Sequence, residues 1–107
     1  MRVETPNFIA SEELLWLKKD GSEIPVHAQI GTPYQIDDIT WACPAFLDGI
    51  DGRYADIVGS TSFQALSLAM HVVGIRLRHQ VEAGEIFVYP EDRATPWNLH
   101  TISAVFG

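Results

Sequence analysis

One long helical pattern, residues 59–84, most constrains what this chain can fold into. The segment 61–64, Thr-Ser-Phe-Gln, matches a capping box, in which the threonine side chain accepts from the third helical amide and the glutamine reaches back to the cap amide. Gly84 supplies the left-handed residue that commonly ends a helix. The sequence therefore predicts a helix that begins at Ser62 and runs to about Ala83.

The predicted helix carries two apolar stripes. The first has the three- and four-residue steps of a core face and consists of Phe63, Leu66, Met70, Val73 and Leu77. The second points to another side and consists of Leu68, Val72 and Ile75. Ser67 and Gly74 would let another backbone approach the helix closely. Either the C-terminal segments 86–89 and 101–106 cover the second stripe, which we favour, or a second copy of the chain does.

Extended segments precede the helix. Residues 12–30 read as a hairpin that turns at residues 19–22, because Asp-Gly between apolar runs is a strong hairpin signal. Its second arm alternates apolar and polar residues, and Pro25 predicts an edge position there. Residues 39–46 and 54–59 are further strands, whereas 34–36 either continue a strand or end in a turn. We predict one α+β domain over residues 1–107: an antiparallel sheet of four or five strands packed against one long helix, with a C-terminal segment that folds back.

Charge and cysteine content restrict the environment and the partners. The formal net charge is −7, which repels nucleic acid and anionic membranes. It either attracts a basic protein or only keeps a small protein soluble, with no partner. The single cysteine, Cys43, excludes an internal disulfide and fits a reducing compartment. Neither a signal peptide nor a membrane-spanning stretch is evident. We therefore expect a cytoplasmic protein.

Two motifs carry a family resemblance. The segment 41–44, Trp-Ala-Cys-Pro, is followed by Gly49 and by the helix start at residues 59–70. Over residues 37–88 these motifs resemble a family of small uncharacterised bacterial proteins, whose signature is a Trp-x-Cys strand and a Gly-x-Asp-Ser-x-Gln-Ala-Leu helix start. Thr61 stands where that family usually has Asp, and both residues are good N-caps. The resemblance implies a small α+β domain and carries no established active site.

The residues present form no recognisable catalytic or metal-binding pattern. Cys43 lies on a predicted core strand, and Ser62 is explained by its place in the first helical turn. His71 and His79 are eight residues apart and do not form a ligand pair on a helix. We therefore expect a protein that is not an enzyme and has no cofactor or metal, and we keep a small enzyme with an unrecognised site as a third hypothesis.

The remaining signal is acidic. We expect folding to gather a partner-binding surface from Asp37, Asp38, Asp48, Asp51, Asp56, Glu91 and Asp92. Such a surface suits an immunity-type protein that neutralises a basic toxin, such as a nuclease, by occluding its cleft. The alternative is a structural module that self-associates through Leu68, Val72 and Ile75. We expect a monomer, with a homodimer as the second possibility.

Overall fold

Eight strands and two helices follow one another along residues 4–107, which the computed structural model describes. In chain order they are β1 (Phe8–Leu17), β2 (Glu23–Gly31), β3 (Tyr34–Asp37), β4 (Thr40–Cys43), β5 (Ala45–Asp48), β6 (Gly52–Arg53), β7 (Ile57–Gly59), α1 (Ser62–Glu82), β8 (Ile86–Val88) and α2 (Leu99–Phe106).

The strands form two antiparallel sheets. One has five strands in the order β6-β5-β2-β1-β8, and the other has three in the order β3-β4-β7. The predicted α+β fold, with an antiparallel sheet against one long helix, is confirmed. The second sheet was not predicted. Pro25 lies in the central strand β2, but β5 pairs with β2 only at residues 27–30, so no strand reaches the proline from that side within the described chain.

The two sheets are joined where β2 runs into β3 and β4 runs into β5. Only Pro44 separates β4 from β5, so the predicted strand over 39–46 is divided in two. The Gly31 amide donates to the Pro44 carbonyl oxygen at 2.9 Å. A Cβ at position 31 would lie 2.8 Å from both Cβ and Cγ of Pro44. Glycine therefore lets the two chain segments pass in contact at this joint.

Helix α1 has the predicted ends. The Thr61 hydroxyl accepts from the Gln64 amide at 3.0 Å, and Gly84 has a φ of 93° just beyond the last turn. One detail of the predicted capping box is wrong. The Gln64 side chain accepts from the Ser60 amide, at 2.6 Å, and not from the Thr61 amide.

The face that α1 turns to the sheet is rotated from the predicted one. The buried row has a spacing of four and consists of Ala65, Ala69, Val73 and Leu77. The two alanines bring the helix close to the sheet, so the larger Leu66 and Met70 lie half-buried at its side. Phe63 is 83% exposed, and its predicted place in the core is wrong.

The C-terminal segment folds back as predicted, and its last part is a helix. Phe106 and Ile102 of α2 pack over Gly74, where an added Cβ would lie 2.8 Å from the Phe106 Cβ. Arg78 of α1 donates to the Ser103 hydroxyl at 2.5 Å and to the Gly107 carbonyl oxygen at 3.0 Å. Gly74 therefore lets α2 approach α1 closely, as predicted. These contacts of α2 lie on a different side of α1 from the second stripe, so the prediction that α2 covers that stripe is wrong.

The N-cap of α1 gives the first testable prediction. Thr61→Ala removes the only side-chain acceptor for the Gln64 amide, and we expect a loss of about 1 kcal/mol in the free energy of unfolding. Thr61→Asp is the matched control, because aspartate also caps, and it should unfold within about 0.5 kcal/mol of the parent. Urea denaturation followed by circular dichroism measures both. Equal losses in the two variants would contradict the assigned cap.

The joint between the sheets gives the second prediction. Gly31→Ala forces the Pro44 ring to move, and we expect a loss of about 2 kcal/mol in the free energy of unfolding. Gln35→Ala on β3 is the control, because that side chain is exposed, and it should change the same quantity by less than about 0.5 kcal/mol. An unchanged unfolding midpoint for Gly31→Ala would show that the joint tolerates a side chain.

Candidate functional site

Asp56 lies inside the protein. It is 6% exposed, accepts from the Tyr34 hydroxyl at 2.5 Å and pairs with Arg53 at 3.2 Å. Burial, together with the bond to Asp56, raises the pKa of Tyr34 to about 12. The prediction that Asp56 belongs to an exposed acidic surface is therefore wrong. A carboxylate is stable at this depth because a cation and a hydroxyl group are already bonded to it.

The carboxylate of Asp51 is also bonded to an arginine and a tyrosine of the protein. Its two carboxylate oxygens accept from Arg76 on α1 at 2.6 and 3.1 Å, and one of them also accepts from the Tyr54 hydroxyl at 2.5 Å. The Arg76 guanidinium holds the pKa of Asp51 below its usual value. This carboxylate ties the turn between β5 and β6 to the helix, and its charge is neutralised within the fold.

Asp37 ends β3 and Asp38 begins the turn to β4, in the three-stranded sheet, whereas Asp48 lies in the five-stranded sheet. Asp37 accepts from the Ile39 amide at 2.9 Å, which lowers the pKa of its carboxyl group. Its carboxylate therefore has a role in the turn that joins β3 to β4.

Three of the predicted residues lie on or beside the five-stranded sheet. Asp48 on β5 pairs with His27 on β2, which pairs with Glu13 on β1, so these three side chains share one face of the sheet. Glu91 and Asp92 follow β8 after Tyr89 and Pro90. Glu12 points to the opposite face from Glu13. Burial raises the pKa of Tyr89, and the carboxylates of Glu12 and Glu91 raise it further. We call the acidic residues of this region the acidic band: Glu12, Glu13, Asp48, Glu91 and Asp92.

Sequence reasoning missed Glu12 and Glu13. The signal was present in the predicted hairpin, because a turn at residues 19–22 fixes the register that sets Glu13 opposite His27. The other predicted members reach the band through strand order, which the hairpin alone does not give.

The arginines of the described chain are used within the fold. The ion pairs among residues 4–107 are Arg53 with Asp56, Arg76 with Asp51, and Arg93 with Glu23. Lys18 lies over the Trp16 ring, 4.7 Å from its centroid. Within this part of the chain, no member of the acidic band has an ion-pair partner.

An apolar groove opens between β1 and the two helices. Its larger part has a volume of about 260 Å³, and a second part of about 210 Å³ adjoins it toward Phe63. The groove is lined mainly by Ile9, Ala10, Leu66, Met70, Val105 and Phe106. Ile9 is 53% exposed at its mouth, and Glu12 of the acidic band also lines it.

The predicted self-association stripe lies on another side of α1. Leu68 is 39% exposed there, whereas Val72 and Ile75 are half-buried. The stripe therefore presents less apolar surface than its sequence suggested.

Cys43 is a core residue. It is fully buried, and its thiol donates to the Gly31 carbonyl oxygen at 3.3 Å. Burial, aided by the Asp56 charge, raises the pKa of the thiol to about 11. In residues 4–107 no three His, Cys, Asp or Glu side chains are placed to hold a metal ion together, and neither helix is long and apolar enough to cross a membrane.

A family model described as a domain of unknown function, DUF6968, matches residues 11–95. The chain belongs to the DUF6968 family. The chain matches no curated protein and no solved structure. The DUF6968 segment contains the whole acidic band and ends before α2, and the prediction of an uncharacterised family is confirmed to that extent.

The environment of Cys43 gives the third prediction. Because the thiol is buried and its pKa lies near 11, we expect Ellman's reagent at pH 8 to leave Cys43 unmodified in the folded protein. The same reagent should titrate about one thiol per chain in guanidinium chloride, which is the control. Stoichiometric reaction within minutes in the folded state would show that the thiol is accessible and would contradict its structural role.

Proposed function

We propose that this DUF6968 protein is a non-catalytic binding protein for a basic protein partner. In its more specific form, the proposal is an immunity-type inhibitor that neutralises a basic bacterial toxin, such as a nuclease. The observation that carries it is the contrast within residues 4–107 between the arginines that form ion pairs, all with carboxylates outside the acidic band, and the band itself, which has no ion-pair partner.

The spacing of the band supports an electrostatic role. Asp48 and Glu13 lie two strand spacings apart, which is about 10 Å between backbones, and both are exposed. Residues paired across strands share a face, so the two carboxylates add to the negative potential of that face. Cations of a partner would be drawn to it from a distance, which accelerates association.

A nuclease toxin is a suitable partner because its cleft must itself be basic to hold a phosphate backbone. An acidic surface can occupy such a cleft without any chemistry of its own. The burial of Cys43 and the structural bonds of Asp51 and Asp56 support the non-catalytic part of the proposal, because each of these groups already has a role in the fold. We place the protein in the cytoplasm, where its single thiol stays reduced.

Charge reversal at the band is the fourth prediction. The double variant Glu13→Lys/Asp48→Lys changes two exposed residues of the band, and the matched control Asp37→Lys/Asp38→Lys makes the same change of charge at the end of β3, in the other sheet. Purified nuclease toxin domains and other basic proteins serve as probes in biolayer interferometry at 50 and 200 mM salt. We expect the parent to bind at least one nuclease domain, the band variant to bind it at least tenfold more weakly, and the control to stay within about twofold.

The salt dependence separates this mechanism from others. The affinity of the parent should fall as salt rises, and the affinity of the band variant should depend less on salt. Equal losses in the two double variants would show that only net charge matters, and the band would have no role. Failure of the parent to bind any basic protein at 50 mM salt would overturn the proposed function.

A further inference from the structure

Strand β1 has an unpaired edge along its first half. Strand β8 pairs with β1 only at Leu15, Trp16 and Leu17, whereas β2 pairs with β1 from Phe8 onward. Strand β8 stops because Pro90 has no amide to donate and the chain turns there, with the Asp92 amide donating to the Tyr89 carbonyl at 3.1 Å. Along residues 8–13 no described strand lies on the side of β1 that faces away from β2. We call this stretch the free edge.

The hydrogen bonds around β8 show which backbone groups the free edge presents. The Phe87 carbonyl accepts from the Trp97 amide, at 2.8 Å, so the backbone groups of Phe87 point away from β1. Those of Val88 therefore point toward β1, and its register partner Leu15 points toward β8. Because peptide groups alternate along a strand, Ser11 and Glu13 point the same way as Leu15. Each leaves one donor and one acceptor at the free edge.

The free edge has features that discourage pairing with another strand and a feature that favours it. A bulge between Phe8 and Ala10 and the charge of Glu13 are devices that discourage edge-to-edge pairing. The apolar groove, however, runs beside the same residues, and Phe8 and Ile9 are 46% and 53% exposed. A strand added here could hydrogen-bond to the open donors and acceptors of β1. One of its side chains could enter the apolar groove, which lies on the helix side of the sheet.

We propose that the free edge binds an extended segment of the basic partner as an additional strand of the five-stranded sheet. This inference rests on the proposed function and names the segment of the partner that is recognised. The segment places apolar side chains on the groove side of the sheet, beside Ala10, and lysine or arginine side chains on the opposite face, against Glu13. Its backbone completes the hydrogen bonds of Ser11 and Glu13.

Charge complementarity selects this occupant over a second copy of the chain. Two copies paired antiparallel along the free edge would set Glu12 and Glu13 of one chain near the same carboxylates of the other. Like charges directly opposite on neighbouring strands are destabilising. A basic segment converts the same positions into attractive cross-strand pairs.

Ser11 allows a sharp test, which is the fifth prediction. Its amide points to the free edge and not to β2, so Ser11→Pro removes one donor and leaves the ladder between β1 and β2 intact. Ser11→Ala keeps the amide and is the matched control. The probes are a short acetylated peptide of alternating lysine and valine and a matched peptide of alternating glutamate and valine. We expect the parent and Ser11→Ala to bind the lysine peptide equally, Ser11→Pro to bind it about tenfold more weakly, and none to bind the glutamate peptide.

Amide hydrogen exchange on the parent protein gives a second measurement that needs no variant. The lysine peptide should slow exchange at Ser11 and Glu13 and leave the amides of the turn between β3 and β4 unchanged. Protection elsewhere, or equal binding by Ser11→Pro and Ser11→Ala, would overturn the inference. The proposed function would stand in that case if Glu13→Lys/Asp48→Lys alone lost the basic protein. A dimer in sedimentation that Ser11→Pro converts to a monomer would also overturn it and would assign the edge to a second copy.

Discussion

The joint at Gly31 and Pro44 is the constraint on which the rest of the structure depends. Two long antiparallel segments, residues 23–37 and 40–48, must leave one sheet and enter another at the same level. Pro44 interrupts the second segment between β4 and β5. Gly31 lies against the Pro44 ring, and its lack of a side chain lets the two segments come into contact. The Cys43 thiol closes the contact on the Gly31 carbonyl. Because of this joint, α1 packs against both sheets at once.

The charge distribution follows from the same architecture. An ion pair between Asp51 and Arg76 links the turn after β5 to α1. In the segment before β7, the buried Asp56 is balanced by Arg53 and by Tyr34 of β3. Each of these ion pairs uses one of the seven Lys and Arg residues of the chain. The excess of carboxylates is therefore left on the outside, and strand order concentrates part of it at one level of the five-stranded sheet.

Features determined by nearby residues could be predicted from the sequence, whereas those set by distant contacts could not. The start of α1 follows from Thr61 and its neighbours, and the first hairpin follows from Asp20 and Gly21. The burial of Asp56 depends on Tyr34, 22 residues away in the chain, which no local pattern announces. The exposure of Phe63 depends on how closely α1 approaches the sheet at Ala65 and Ala69. The acidic band required the order of four strands, and sequence periodicity gives faces of strands but not their order.

Pro90 has a consequence for the behaviour of the protein at high salt. It ends β8 after three residues and leaves hydrogen-bonding groups of β1 open, so that the bulge after Phe8 and side-chain charge are what keep other chains away. Salt screens that charge, and the exposed strand then becomes a template on which identical chains stack. Fibril growth in concentrated salt would start at the residues that present these unpaired backbone groups.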